Sequence, residues 1–145
     1  GILDTLGLVP SIEWLAKEFE SKRNIKCKLE LDVEKHKFEE KVSTCFFRIC
    51  QEALTNISKH AKASEVIISV SQNKNELTLK VSDNGKGMES EKPANPFSMG
   101  LIGMRERANI INARFHITSQ KDLGTTIQLS HNLQGSSVCE KASMN

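Results

Sequence analysis

The chain has 145 residues, 38% of them hydrophobic and 26% charged, with a formal net charge of +2. That is one domain's length with room for a core, and the composition belongs to a folded globular chain, not a disordered one. Intermixed charges, no Tyr and a single Trp give no basic, aromatic-laced surface for nucleic acid. No apolar run approaches the ~18 residues of a membrane span, so no membrane contact is expected, and the start has no signal-peptide pattern. Cys27, Cys45, Cys50 and Cys139 show no C-x-x-C spacing. Cys45 and Cys50 sit among apolar neighbours and read as core thiols, which disfavours disulfides and zinc and points to the cytoplasm.

In chain order, the opening Gly1 to Pro10 is too apolar for a free tail and reads as the end of a preceding element, with Pro10 as a break. Ser11 is placed to cap a helix over Ile12–Lys22, whose Ile12, Leu15, Ala16 and Phe19 recur at helical spacing. Lys28–Val33 alternates as a half-buried strand. Glu39–Ala61 is the strongest helix: Phe46, Cys50, Ala53, Ile57 and Ala61 share a narrow sector that faces the core. Val66 to Val70 and Leu77 to Val81 form a hairpin around Gln72-Asn73-Lys74-Asn75. Lys86–Met99 has two prolines and no periodicity, as a binding loop or lid would. A helix over Leu101–Asn112 follows, then a second hairpin, Arg114–Ser119 and Thr125–Ser130, around Asp122-Leu123-Gly124. From Asn132 onward small and charged residues predict a flexible tail over 132–145. The order predicts an α+β fold, an α/β sandwich with one helical layer over a mixed sheet.

Four segments carry chemistry. Glu52, Asn56 and His60 follow at i, i+4 intervals on the long helix, with Lys59 adjacent, on the flank of its core face. An Asn carbonyl is a hard ligand suited to magnesium. A carboxylate one turn earlier suits the handling of a nucleophile, and Lys59 and His60 suit the offset of phosphate charge. The same pattern also fits a solvated helix face. Asp83 ends a strand whose inward residues are Leu77, Leu79 and Val81, so its carboxylate falls on the buried parity and requires a donor. An adenine amine supplies one; an ordinary Asp-Asn-Gly turn is the plainer alternative. Gly85 and Gly87 would let a flat base approach the backbone. Gly100 and Gly103 precede a helix, as glycines do where backbone N–H groups meet a phosphate, although no Walker sequence is present. Thr125 starts a late strand, where a hydroxyl could reach the base or simply serve β-propensity.

Together these motifs resemble the ATP-binding catalytic domain of two-component sensor histidine kinases, within the superfamily of the Bergerat ATP-binding fold that includes gyrase, Hsp90 and MutL. Residues 47–64, with Glu52 and Asn56, resemble its asparagine box, and Asp83-Asn84-Gly85-Lys86-Gly87-Met88 its first glycine box. Gly100-Leu101-Ile102-Gly103-Met104-Arg105-Glu106-Arg107 resembles the second glycine box, in the form typical of the NarL-partnered subclass. Leu3 to Leu8 resembles that subclass's junction with its dimerisation helices. Two positions depart from the pattern: Ser98 stands where many members have glycine, and the lid lacks a clear phenylalanine box.

The resemblance implies a junction remnant over 1–10, an ATP-binding catalytic domain over 11–131, and ATP and Mg2+ as cofactors. It implies that Asn56 coordinates magnesium and Glu52 assists phosphoryl transfer, with Lys59 and His60 near the phosphates. Asp83 would read the adenine amine, Gly85, Gly87 and Met88 would shape that wall, Gly100, Leu101 and Gly103 would line the lid side, and Thr125 would support the base. Implied partners are the dimerisation and phosphoacceptor domain of the same kinase and a response regulator with a helix-turn-helix output. The isolated domain is expected to be monomeric, its parent a homodimer with or without a membrane anchor. The phosphoaccepting histidine of such kinases precedes an acidic residue, whereas His36, His60, His116 and His131 precede Lys, Ala, Ile and Asn. Little activity is therefore expected of the chain alone. The rival expectations are an anti-sigma-type serine kinase and a nucleotide-gated interaction module without catalysis.

Overall fold

The computed structural model describes residues 2–34, 37–87 and 97–133. Two helices open the chain, α1 (Ile2–Leu6) and α2 (Leu8–Arg23), bent at Gly7, whose φ is 88°. Pro10 does not break the chain as expected. It lies in the first turn of α2, where an N–H would have no partner within the helix. Ser11, expected as a cap, is inside the helix and its hydroxyl donates to the Gly7 carbonyl. Residues 2–10 are therefore folded onto the domain: Leu8 is fully buried, and Ile2 and Leu3 pack against the core. The expected core residues Ile12, Leu15, Ala16 and Phe19 are buried, and α2 stops where Asn24 turns left-handed at φ 55°.

Strand β1 (Lys26–Asp32) leads to α3 (Glu40–Asn56), which continues into a π-helical turn (Ile57–Ala61). Phe46, Cys50, Ala53, Ile57 and Ala61 are all buried, as their spacing predicts. Val42, Ile49 and Leu54 are buried as well, because α3 is the middle helix of the layer and packs on both α1–α2 and the sheet. Strands β2 (Glu65–Asn73) and β3 (Glu76–Asp83) form the first hairpin, closed by Lys74 at φ 58°. Helix α4 (Phe97–Ile110) begins four residues before the expected Leu101. The second hairpin, β4 (Arg114–Gln120) and β5 (Gly124–Asn132), completes the sheet. Asn132, expected to begin the tail, ends β5, and Leu133 donates its N–H to the Asn75 carbonyl; residues 134–145 lie outside the described residues.

The sheet runs β1-β2-β3-β5-β4, with β1 parallel to β2 and the other pairs antiparallel. Val66, Ile68, Val70, Leu77, Leu79, Val81, Ile127 and Leu129 face the helices and are buried. The opposite face carries Thr78, Ser82, Thr126 and Ser130, paired by hydroxyl bonds Thr78–Ser130 (3.2 Å) and Ser82–Thr126 (2.9 Å). This is the expected α+β sandwich. Burial of Met104 and Ala108 seats α4. A Cys45 thiol bond to the Arg107 carbonyl (3.4 Å) ties it to α3, and Arg105 lies 5.1 Å from the ring centroid of Phe115 on β4. Cys45 and Cys50 are free, buried thiols, pushed up to about 11 and about 12 by burial, so both remain protonated and unreactive.

Phe46 is completely enclosed at the centre of this helical layer. Phe46→Ala should cost ~3–5 kcal/mol from lost burial and the cavity left behind, read as a lowered urea midpoint at unchanged slope.

Candidate functional site

The C-terminal end of α3 meets three other segments. The first is the start of α4. A β-carbon on Gly100 would lie 2.9 Å from Glu52 Oε1 and 3.1 Å from Asn56 Nδ2, so this first turn of α4 rests directly on both side chains. A side chain at Gly103 would meet open space, so packing demands only the earlier glycine. Both glycines lie within α4, not ahead of it. In a helix that starts at Phe97 the unpaired N–H groups end at 99, which leaves those of Gly100, Leu101 and Gly103 inside the helix's own ladder. Asn56 is 6% exposed, and its Nδ2 is buried without a hydrogen-bond partner.

The π turn alters the expected line of residues. In i→i+5 bonding each turn takes an extra residue, so His60 no longer stacks one α-turn beyond Asn56 as an uninterrupted helix would place it. Lys59 is exposed and His60 half-buried. The turn ends at Lys62, with φ 52°, and the Ala61 carbonyl accepts the Lys86 N–H at 2.7 Å. A β-carbon on Gly85 would run into that carbonyl. Gly85 is thus required by close approach of the helix end, in addition to any ligand.

Asp83 is at the second segment. It is buried, as its strand parity predicts, with Oδ1 accepting the Gly85 N–H at 2.8 Å and the Thr125 N–H also bonded to the carboxylate. Burial raises its pKa from the ordinary value, against the opposing pull of those two backbone donors. Asn84 points elsewhere: its amide oxygen accepts the Ser64 and Glu65 N–H groups, both at 3.0 Å, and its nitrogen donates to Ser64 Oγ. It staples the start of β2 and contributes nothing to the site.

The third segment is the β4–β5 turn. Gly124, at φ 103°, sits where any side chain would strike the Asp83 carbonyl. Asp122 donates its N–H to the Lys86 carbonyl at 2.6 Å, and Gly87, at φ 71°, abuts the Gln120 carbonyl. Thr125 is buried and its hydroxyl bonds Ser119 Oγ at 2.8 Å. Met88 and most of the expected lid, residues 88–96, lie outside the described residues. Glu52, Asn56 and Gly100 thus meet on α3, Gly85 meets the turn that follows it at Ala61, and Asp83, Gly87 and Thr125 are joined to one another through the Gly85 loop and the β4–β5 turn, whereas Lys59 stands out in solvent. A hollow of about 650 Å³ between the start of α3 and the end of α4 is lined by Glu39, Thr44, Cys45, Arg107, Ile110 and others. It includes none of these residues. Sequence reading passed over Ser119, although counting outward from the Asp122 turn pairs it with Thr125.

A helix end bearing an acid and an amide, set against a glycine-flanked strand-end carboxylate on a sandwich of this topology, defines a domain of the ATPase class expected from the sequence. The chain belongs to that family: residues 42–135 match the model for histidine kinase-, DNA gyrase B- and HSP90-like ATPases. It is similar to the signal transduction histidine-protein kinase/phosphatase DegS of Brevibacillus brevis, 39% identical over 129 residues, which cover 88% of this chain and 33% of that protein. The oxygen sensor histidine kinase NreB of Staphylococcus carnosus is 33% identical over 127 residues, covering 88% of this chain and 37% of its own length. The chain therefore spans about a third of the curated relatives it matches. In fold it is similar to the blue-light activated histidine kinase of Erythrobacter litoralis, with a TM-score of 0.73 at 18% identity over 90% of this chain and 43% of that one.

The contact between Gly85 and Ala61 can be tested directly. Gly85→Ala should destabilise the domain by ~1–3 kcal/mol, as overpacking at a tight contact does. Hydrogen exchange at the Lys86 amide should quicken beyond the global change, because the bond to Ala61 must open to admit the methyl group.

Proposed function

We propose that this chain binds Mg-ATP as the catalytic domain of a sensor histidine kinase. In this reading the γ-phosphoryl passes to a histidine on the dimerisation domain and then to a response regulator with a helix-turn-helix output. The observation that carries the reading is the buried Asp83 carboxylate, whose hydrogen-bond partner Gly85 packs on the turn that follows the amide-bearing end of α3. An ionised carboxylate accepts only, and two backbone donors do not exhaust its oxygens. A purine exocyclic amine is a donor of the kind that remains to be supplied. The names of the curated relatives favour a histidine as acceptor over the serine of an anti-sigma-type kinase.

The residues present fit a magnesium ion that arrives with its nucleotide. Asn56 is a buried amide whose nitrogen has no partner, and its oxygen is a hard ligand. Among the described residues no three His, Cys, Asp or Glu side chains converge on a metal site. An ion here would rely on phosphate oxygens for most of its coordination, as magnesium commonly does. When bound, magnesium would neutralise charge on the phosphates. Glu52, one turn before Asn56, stands where a carboxylate can orient or deprotonate an attacking group. Lys59 and His60 serve as phosphate-side charge, with Lys59 reaching in from solvent. Gly100 keeps Glu52 and Asn56 in place by contact, and Leu101 and Gly103 form the lid side.

Asp83→Asn separates binding from stability. Its folded pKa is raised, so the stability linked to this group is fully present below the unfolded value of 3.8 and is lost as pH rises through the folded value. The variant should therefore unfold at higher urea than wild type at pH 7 without nucleotide, with the margin narrowing toward pH 4. Its ATP affinity, micromolar or weaker in the wild type, should fall about tenfold or more, as expected for a lost bond to a charged group. Equal affinity by calorimetry would refute the assignment. In the full-length kinase, Glu52→Gln should slow histidine phosphorylation by about 100-fold or more while ATP affinity holds; a wild-type rate would leave Glu52 as a scaffold residue.

A further inference from the structure

We propose that Cys45 is a positioning residue: its thiol caps the C-terminal end of α4 and so fixes how Gly100, near the other end of that helix, rests on Glu52 and Asn56. This rests on the reading above, in which Glu52 and Asn56 face the phosphates and their magnesium. After α4 the chain turns left-handed at Asn112, with φ 56°. There the Ala113 N–H donates to the Ala108 carbonyl at 2.9 Å and the Asn112 N–H to the Asn109 carbonyl at 3.1 Å. The Ile111 N–H, which in a regular α-helix would close on Arg107, donates instead to Ala108 at 3.2 Å. That tightening of the last turn releases the Arg107 carbonyl, and the Cys45 thiol donates to it at 3.4 Å. Burial pushes the thiol up to about 11 against the pull of the Arg107 guanidinium, so its hydrogen is in place at neutral pH.

Helices α3 and α4 run antiparallel and are joined at two points. One is Cys45 with Arg107; the other, about two turns earlier on α4, is Gly100 with Glu52 and Asn56. Between them Met104 and Ala108 are buried against the core. Apolar burial has no direction, so it holds α4 down without fixing its place along its own axis. A hydrogen bond to one carbonyl does fix it. Cys45 and Arg107 both line the hollow of about 650 Å³, so on that side the end of α4 is backed by space and not by packed side chains. At the far contact a β-carbon on Gly100 would lie 2.9 Å from Glu52 Oε1, so α4 has little room to slide before a neighbouring side chain meets that carboxylate. Cys45 thereby sets the phosphate-side pair without touching the nucleotide.

The test compares Cys45→Ser, which keeps a donor, with Cys45→Ala, which removes it. Cys50→Ala is the control, since it deletes a fully buried thiol from the same helix and leaves the Arg107 bond untouched. Folding is verified by thermal melts of the whole chain. In nucleotide-free samples the NMR resonances of the Gly100 amide and the Asn56 side-chain amide should shift in Cys45→Ala and stay close to wild type in the other two. Calorimetry should show Mg-ATP bound about threefold or more less tightly in Cys45→Ala alone, the scale of one modest hydrogen bond, with magnesium-free ADP unaffected. An unmoved Gly100 resonance in Cys45→Ala, or an equal loss of Mg-ATP affinity in Cys50→Ala, would overturn the proposal, as would resonances that move while Mg-ATP affinity holds. If Asp83→Ala binds ATP as tightly as wild type does, the site assignment itself fails, an outcome that the nucleotide-free resonances keep separate.

Discussion

The architecture turns on a carboxylate held inside the protein at the end of a strand. Asp83 continues the buried row of Leu77, Leu79 and Val81, so the alternation that builds the core also drives a charge beneath the surface. Two backbone donors, from Gly85 and Thr125, keep it ionisable, yet burial still outweighs them and raises its pKa. Every nearby peculiarity follows from bringing those donors within reach. Gly85 must lie against the Ala61 carbonyl, and Gly124 must adopt a left-handed φ against the Asp83 carbonyl. The loop between is tied on one side to α3 through Lys86 N–H and on the other to the β4–β5 turn through Lys86 C=O.

The same constraint explains why α3 ends as it does. An α-helix continued to Ala61 would keep Asn56 and His60 on one line. The π turn takes an additional residue in its last revolution and delivers the Ala61 carbonyl to the Lys86 amide. Helix regularity is exchanged for a bond that holds the Asp83 loop. Asn56 stays at the last α-helical position, clamped beneath Gly100, and the buried amide and the Ala61 carbonyl come from consecutive turns of one helix.

Much of this was legible in the sequence because two periodicities carry it. The 3.6-residue spacing of Phe46, Cys50, Ala53 and Ile57 marked the core helix, and the parity of Leu77, Leu79 and Val81 put Asp83 indoors. What escaped was set by contacts between segments. Pro10 reads as a break, but one turn into a helix its missing N–H costs nothing, and Gly7 upstream is the actual bend. The start of α4 at Phe97 contradicts the reading of Gly100 as loop. Glycine is a poor helix residue by propensity, but here it is the one residue that lets α4 rest on Glu52 and Asn56. The π turn leaves no mark in composition, since Ile57-Ser58-Lys59-His60-Ala61 would serve equally well in an α-helix. Ser119 has no motif of its own, and its pairing with Thr125 emerges only when the hairpin register is counted out from Asp122.

The site sacrifices stability that the core must supply. Asp83 carries a carboxyl group into the interior, Asn56 buries an amide nitrogen with nothing to bond, and Gly124 adopts a conformation whose ordering entropy is the largest of any residue. The first and last still hold the loop together, through the Gly85 and Thr125 N–H groups and the close approach of Gly124 to the Asp83 carbonyl, whereas the Asn56 nitrogen serves no contact. The layer of α2, α3 and α4, closed over Phe46, Ile49 and Leu79, is what tolerates that deficit. Because the deficit is localised where three segments meet, a ligand that satisfies Asp83 and Asn56 together would stabilise α3's end, the Gly85 loop and the β4–β5 turn as one unit.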